Sequence, residues 1–375
     1  MAATPRIQRA AIVLTILALA ACAAESDSGV TESSVVNIYN WADYIAPDTI
    51  SKFEAEYGIK VNYDTYDASS TVDIKLLAGN SGFDVVAHSN WQSSPLVPIG
   101  VFEKLDLSLL PNVVHLDFEL MARVDIYEAV RGYMVPYHWG TTGYAWNADM
   151  VRERLPDHPM TTGDVLFDPE VISKLADCGV SLLDGSPDLF SAAFAYLGGD
   201  PKQYDINDEN IATIEKQLKK VRPFVRYFSN DKMMSDLPNK EVCVAMSWSG
   251  DFAQAQARAE EAGIDIDLRY TMPQEGSRLW VDGLYIPIDA PNRENAYKFI
   301  NFMLQPAIAA ANANHTFYAN ANGSSWPLMN PEILNNPAIF PDESAWEQIY
   351  ASPVSDLKRI RPRTRAFARV KSGLD

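Results

Sequence analysis

The stretch from Val35 to Ser89 alternates strand and helix signals in an order that few architectures accept. Val35 to Tyr39 is an apolar strand. Pro47 stands where a helix can begin, because the first turn has no partner for the N–H that proline lacks. Ile50, Phe53 and Tyr57 then recur on one helical face, and Gly58 supplies the left-handed stop. Ile59 to Tyr66 is the next strand, Val72 to Leu77 the next helix, and Asp84 to Ala87 within "GFDVVAHS" a short buried strand. This β-α-β-α-β order predicts a largely parallel sheet covered by helices on both faces, an α/β protein. In such sheets ligands bind beyond the carboxyl ends of the strands. The loop Trp41–Tyr44 follows the first strand, and Ser89 and Trp91 follow the third, so both fall at one end of the sheet.

The chain has 375 residues, 47% hydrophobic and 11% aromatic, enough for two cores. The pattern changes at "YMVPYHWGTTGYAWN", rich in aromatics and strand formers, which reads as a crossing into a second lobe. "CGVSLLDGSPDLFSAAFAYLG" reads as strand, turn and a helix beginning near Asp188. "CVAMSWSGDFAQAQARAEEAG" reads as a buried strand followed by Trp248 and Asp251 at a helix start. "IDLRYTMPQEGSRLWVDGLYIP" reads as a second crossing, with Trp280 and Asp282 at the mouth of a cleft. The helix Arg293 to Leu304 follows, and "HTFYANANG" presents Tyr318. Two crossings make two discontinuous lobes, expected as 35–138 with 274–303 and 139–273 with 304–375.

Arg6 and Arg9 precede an apolar run from Ala10 to Ala24, the layout of a secretory signal and short for a membrane span. Leu19-Ala20-Ala21-Cys22 resembles a bacterial lipoprotein cleavage box. Residues 1–22 are therefore expected to end in a lipidated Cys22, with 23–34 as a tether; the alternative is an ordinary signal with a chance cysteine. That leaves Cys178 and Cys243, an even pair in an oxidising compartment, for which a disulfide is expected and two buried free thiols are the alternative. Two distant cysteines and five scattered histidines supply no metal-ligand set. The net charge of −18 disfavours nucleic acid as a partner.

Aromatic rings and carboxylates recur together at the predicted cleft loops: Trp41, Asp43 and Tyr44; Trp248 and Asp251; Trp280 and Asp282. For any single pair, a capping Asp beside a core Trp explains as much, and Asp188 and Asp251 both stand close to helix starts. Three such groups at one cleft point to binding.

The motifs "IYNWADYI", "GFDVVAHS", "YHWGTTGYAWN", "CGVSLLD", "CVAMSWSGD", "WVDGLYIP" and "FYANANG", in this order, resemble the putrescine/spermidine-binding proteins of bacterial polyamine ABC importers from about Val35 onward. The resemblance implies a two-lobed class II periplasmic-binding-protein fold, each lobe a mixed, mostly parallel sheet flanked by helices, closing around a polyamine between the lobes. It implies an aromatic box of Trp41, Tyr44, Trp248, Trp280 and Tyr318. The acidic contacts would be Asp43, Asp188, Asp251 and Asp282, with Ser89 as a polar contact. Two positions depart from the pattern. Ala42 stands where relatives often carry a hydroxyl, and Asp188 where they often carry Glu. The indoles at Trp91 and Trp280 offer more stacking area than relatives of short diamines have, so spermidine is expected over putrescine; the opposing view is that their bulk shortens the cleft.

The chemistry agrees with the resemblance. A polyamine is an alkyl chain bearing ammonium groups, and ring faces serve both parts, at about 0.5–2 kcal/mol for each cation–π contact. A sugar- or peptide-binding transport protein is the nearer rival, since folds are shared across ligands. A secreted hydrolase using Asp251 and Asp282 is the farther one, but no zincin or nucleophile-elbow motif is present. The expected protein is a periplasmic monomer anchored through Cys22, without cofactor or catalysis, that delivers ligand to a membrane permease. The basic segment "RTRAFARVKSG" reads as a solvated helix.

Overall fold

Strand β1 (Val35–Trp41) lies between β2 (Lys60–Tyr66) and β3 (Val85–Ser89), parallel to both. This structure is a computed structural model; it describes Met1 and residues 34–67, 69–124, 128–203, 207–353 and 357–373. The export segment, Cys22 and all of the tether except Ser34 lie outside the described residues. The helices Thr49–Tyr57 and Ser69–Ala78 connect the three strands. Gly58 ends the first of these helices with a left-handed φ of 66° and donates its N–H to the Glu54 carbonyl, a turn that a Cβ would strain. Asp84, fully buried, accepts from the backbone N–H of Asn37 and from the backbone and side chain of Asn292. One carboxylate thus ties β1 to the start of the helix Arg293–Met303.

The remaining strands are β4 (Val135–Asn147), β5 (Val180–Leu182), β6 (Val225–Phe228), β7 (Val244–Trp248), β8 (Leu268–Thr271), β9 (Ser277–Tyr285), β10 (Ala319–Asn320) and β11 (Ile349–Tyr350). The main path is β2-β1-β3-β9-β4-β7-β5-β6, with β8 and β10 on β4 and β11 on β9. The parallel trios β2-β1-β3 and β7-β5-β6 are joined through the antiparallel pair β9 and β4. These two long strands are the segments read as crossings. Every residue of both is buried, so they read as near-continuous apolar and aromatic runs rather than as an alternation. One core gathers around Leu182, Phe190, Leu218 and Val244, another around Ile38, Phe53, Phe299 and Ile300, and Trp248 packs against both.

Three local expectations shift. The first helix begins at Thr49 behind Asp48, two residues after Pro47. The helices expected near Asp188 and Asp251 begin at Ser186 and Ser249, with Gly185 and Trp248 at the cap positions. Both aspartates therefore stand inside the first turn, and neither is the N-cap. The basic C-terminal segment is also more than a solvated face. In the helix Leu357–Ser372, Ala366, Phe367 and Val370 are buried, and Phe367 meets Phe190 and Phe228 edge-on. Arg359 and Arg369 of the same helix pair with Asp208 and Glu215. Among the described residues no helix is long and apolar enough to cross a membrane.

Cys178 and Cys243 form a disulfide across 65 residues of sequence, with Cα atoms 5.5 Å apart. They lie directly ahead of the parallel neighbours β5 and β7, where Val180 pairs with Val244. Closing so long a loop restricts the unfolded chain and stabilises by about 2–4 kcal/mol. Reduction, or Cys243→Ser, is expected to lower the unfolding free energy measured in urea by about 2–4 kcal/mol. In the oxidised protein neither Cys178 nor Cys243 should react with a thiol reagent under denaturing conditions; modification of both would exclude the bridge.

Candidate functional site: buried carboxylates among aromatic rings

Side chains alternate across a strand, so Arg278, Trp280 and Asp282 occupy one face of β9. Their partners on β4 are Thr142, Gly140 and His138. On the other side, Ser89 of β3 is the partner of Asp282. Gly140 is required by this arrangement: a Cβ there would sit 2.5 Å from the Trp280 ring and 2.7 Å from the Ser249 hydroxyl. The indole of Trp280 lies directly over the β4 backbone as a result.

Two carboxylates are buried on this face, each bonded to a tyrosine. Tyr44 donates its hydroxyl to Asp282 Oδ2 at 2.9 Å, and Tyr318 donates to Asp251 Oδ1. The rings interlock edge to face. Tyr318 lies 5.2 Å from Tyr44 and 5.2 Å from Trp280, and Tyr44 lies 4.9 Å from His138. Gly250 admits Tyr318, whose ring carbons would stand 2.3 Å from a Cβ at that position. Neither Asp251 nor Asp282 has an ion-pair partner among the described residues. Burial pushes both carboxyl groups up to about 7, with the tyrosine hydrogen bonds pulling the other way. At Asp251 the charges of Asp231 and Asp43 add to the upward push and that of Arg258 opposes it. Asp251 also stands in the first turn of its helix, where the backbone dipoles favour an anion. The tyrosines are held well above their ordinary range by burial and by the same carboxylates. His138, buried on the same face, is pushed down to about 3 by desolvation and is neutral at physiological pH.

Asp188 is treated differently. It accepts from Arg278 Nη1 at 2.9 Å and from the Thr142 hydroxyl at 2.8 Å, all three side chains being buried. Arg278 Nε donates to the Ser352 hydroxyl at 3.1 Å, and the guanidinium lies 4.4 Å above the Trp91 ring. Trp91 therefore presents a face to the guanidinium of Arg278.

The other anticipated residues lie around this cluster. Trp41 is half-buried and packs against Tyr66, the ring centroids 4.3 Å apart and the planes tilted by 45°, with its indole N–H buried and unbonded. Asp43 is exposed and adopts a left-handed φ of 53°. Ser89 is buried and donates its hydroxyl to Gln92 at 2.7 Å. Trp248 is half-buried at the cap of the Asp251 helix. Tyr44, Asp251, Trp280, Asp282 and Tyr318 are linked by direct contacts. Trp91 and Asp188 are joined to them through Arg278 on β9. Sequence reasoning passed over Arg278, although the alternation in "SRLWVDG" places it in line with Trp280 and Asp282. It also passed over Thr142, which only the β4 register brings in. Among the described residues no group of His, Cys, Asp and Glu gathers as a metal-ligand set.

The close fit at Gly140 is testable. Gly140→Ala should force the Trp280 indole off the β4 backbone and destabilise the protein by about 1–3 kcal/mol. Urea unfolding checks this, and an unchanged midpoint together with unchanged tryptophan fluorescence would contradict the geometry.

Comparison with known proteins places this arrangement in context. Residues 48–341 match the family described as bacterial extracellular solute-binding protein. The chain is 40% identical over 343 residues to the putrescine-binding periplasmic protein SpuD of Pseudomonas aeruginosa, covering 91% of this chain and 93% of that one. It is likewise 40% identical over 343 residues to the putrescine-binding periplasmic protein PotF of Escherichia coli, covering 91% and 92%. Among solved structures, the spermidine/putrescine ABC transporter substrate-binding protein PotD of Streptococcus pneumoniae superposes with a TM-score of 0.73 at 26% identity, covering 91% of this chain and 99% of that one. The mixed α/β sheet with flanking helices is thus the periplasmic-binding-protein fold, and the chain belongs to the bacterial extracellular solute-binding protein family.

Proposed function

We propose that this protein is the polyamine-capturing component of an ABC importer, binding its ligand on the face formed by Tyr44, Asp251, Trp280, Asp282 and Tyr318. The observation that carries the reading is the pair of desolvated carboxylates, Asp251 and Asp282, that have no cation of their own and are walled by aromatic rings. Such a site is costly for an anion and unsuited to a neutral sugar. It suits ammonium groups joined by methylenes, which answer both the charge and the apolar wall. Relatives at 40% identity are putrescine-binding proteins, which supports the same ligand class. Trp41, Asp43, Ser89 and Trp248 complete the proposed contact set at its margins. No chemistry is assigned to it: each buried carboxylate is engaged by a tyrosine, not by a nucleophile or water-activating group.

The proposed working cycle follows from the topology. The parallel trios at either end of the sheet path are read as the cores of two lobes, with β4 and β9 as the connecting strands. Ligand bound by one lobe recruits groups from the other, so capture shifts an open–closed equilibrium. Export to the periplasm, anchoring through Cys22, a monomeric state and delivery to a membrane permease belong to the same reading.

Two measurements test it. Asp282→Ala strands an ammonium beside Tyr44 and should weaken putrescine or spermidine binding by about 2–5 kcal/mol in calorimetry. Binding within twofold of wild type would remove the site. The pH dependence has a defined sign. The empty site holds Asp251 and Asp282 near 7, whereas a bound ammonium favours their ionised form and lowers both. Binding therefore releases protons below about pH 7, so affinity should rise by about tenfold or more from pH 5.5 to 7.5 and then level off. Affinity that is flat across this range would contradict the assignment of both carboxylates.

A further inference from the structure

Asp188 is the third buried carboxylate on this face, and it is already neutralised from within the chain. Arg278 reaches it along β9, two residues from Trp280 and four from Asp282 on the same side of the strand. Its guanidinium makes the two contacts that a ligand ammonium would make at this end: one with the Asp188 carboxylate at 2.9 Å and one with the Trp91 ring face at 4.4 Å. Ser352 and Thr142 bond to the guanidinium and the carboxylate from the sides, so with Trp91 the pair is held in place by side chains from three other parts of the chain. Arginine suits this role better than lysine, because a planar fork can bond a carboxylate and stack on an indole together.

We propose that Arg278 is a built-in cation filling the Asp188–Trp91 end of the cleft, so that the ligand is a short diamine such as putrescine, and that spermidine is excluded. This inference rests on the polyamine reading above. The charges decide it. Asp251 and Asp282 lack cations of their own, which matches two ammonium groups. Spermidine carries a third. At the Asp188 end that third ammonium meets a carboxylate whose charge is already answered and a guanidinium of its own sign. An ammonium buried there without a counter-ion is strongly disfavoured. The Trp91 indole, which by size alone would extend the box for a longer ligand, is covered by Arg278 instead. Arg278 also borders a narrow pocket lined by Thr142, Asp188, Tyr196, Glu275 and Tyr350.

Calorimetric titration of wild type, Arg278→Met and Arg278→Lys with putrescine and with spermidine tests the inference. Wild type should bind putrescine about tenfold or more tighter than spermidine. Arg278→Met leaves Asp188 without a cation and uncovers the Trp91 face on that side, with Arg363 still 6.0 Å from the ring, and should bring the two affinities to within about threefold, mainly by tightening spermidine. Arg278→Lys keeps a charge at Asp188 and should keep the putrescine preference. Equal or tighter spermidine binding by wild type overturns the inference whether or not the methionine variant folds. So does an unchanged ratio in folded Arg278→Met. Failure of wild type to bind either ligand overturns the polyamine reading and this inference with it, whereas putrescine binding with the wrong ratio overturns this inference alone.

Discussion

The structure depends on keeping carboxylates out of water. A buried carboxylate needs hydrogen-bond donors, a cation, or a proton, and this chain uses three different answers across four aspartates. Asp188 has a guanidinium of its own. Asp251 and Asp282 have tyrosine hydroxyls that soften their desolvation without cancelling it, which leaves both poised near neutrality. Asp84, directly ahead of β3, is satisfied by backbone and amide donors and acts as a structural tie. The same side chain thus serves as a scaffold tie at Asp84 and, in the proposed reading, as part of a plug at Asp188 and as a binding group at Asp251 and Asp282.

The pair β4 and β9 makes this possible. Two long, fully buried antiparallel strands bring Arg278, Trp280 and Asp282 into register with Thr142, Gly140 and His138. Glycine at 140 brings the backbone under an indole, and glycine at 250 brings a helix start under a tyrosine. The rings are fixed by main chain rather than by other flexible side chains, so their edges and faces are set before any ligand arrives. The disulfide secures the neighbouring β5 and β7 in the same way.

Much of this was legible in the sequence. The strand–helix alternation up to Ser89 declared a parallel sheet because periodicity and Gly58 are local signals. The long strands β4 and β9 were visible as runs of aromatics and strand formers. Trp41 and Trp248 do end their strands, but Trp280 and Asp282, expected at a cleft loop, stand inside β9. What escaped depends on non-local geometry. Arg278 was readable as a cleft residue only by following the alternation of one strand, and its bond to Asp188 spans 90 residues. The helices at Ser186 and Ser249 begin before their aspartates, because a buried acid within the first turn looks, in sequence, the same as a cap. The size of Trp91 suggested room for a long ligand; which group would lie on its face was a matter of packing.

If ligand binds at Asp251 and Asp282 as proposed, the tyrosine hydroxyls on them bear on unloading as much as on capture. A site that held its ligand by charge alone would leave two naked anions behind at departure, and that penalty would sit on the exit barrier. Here Tyr44 and Tyr318 stand ready to take over the carboxylate oxygens as the cargo moves off. The vacated state is thereby stabilised, the grip is moderated, and a carrier that must surrender its load at every cycle is kept from becoming a trap.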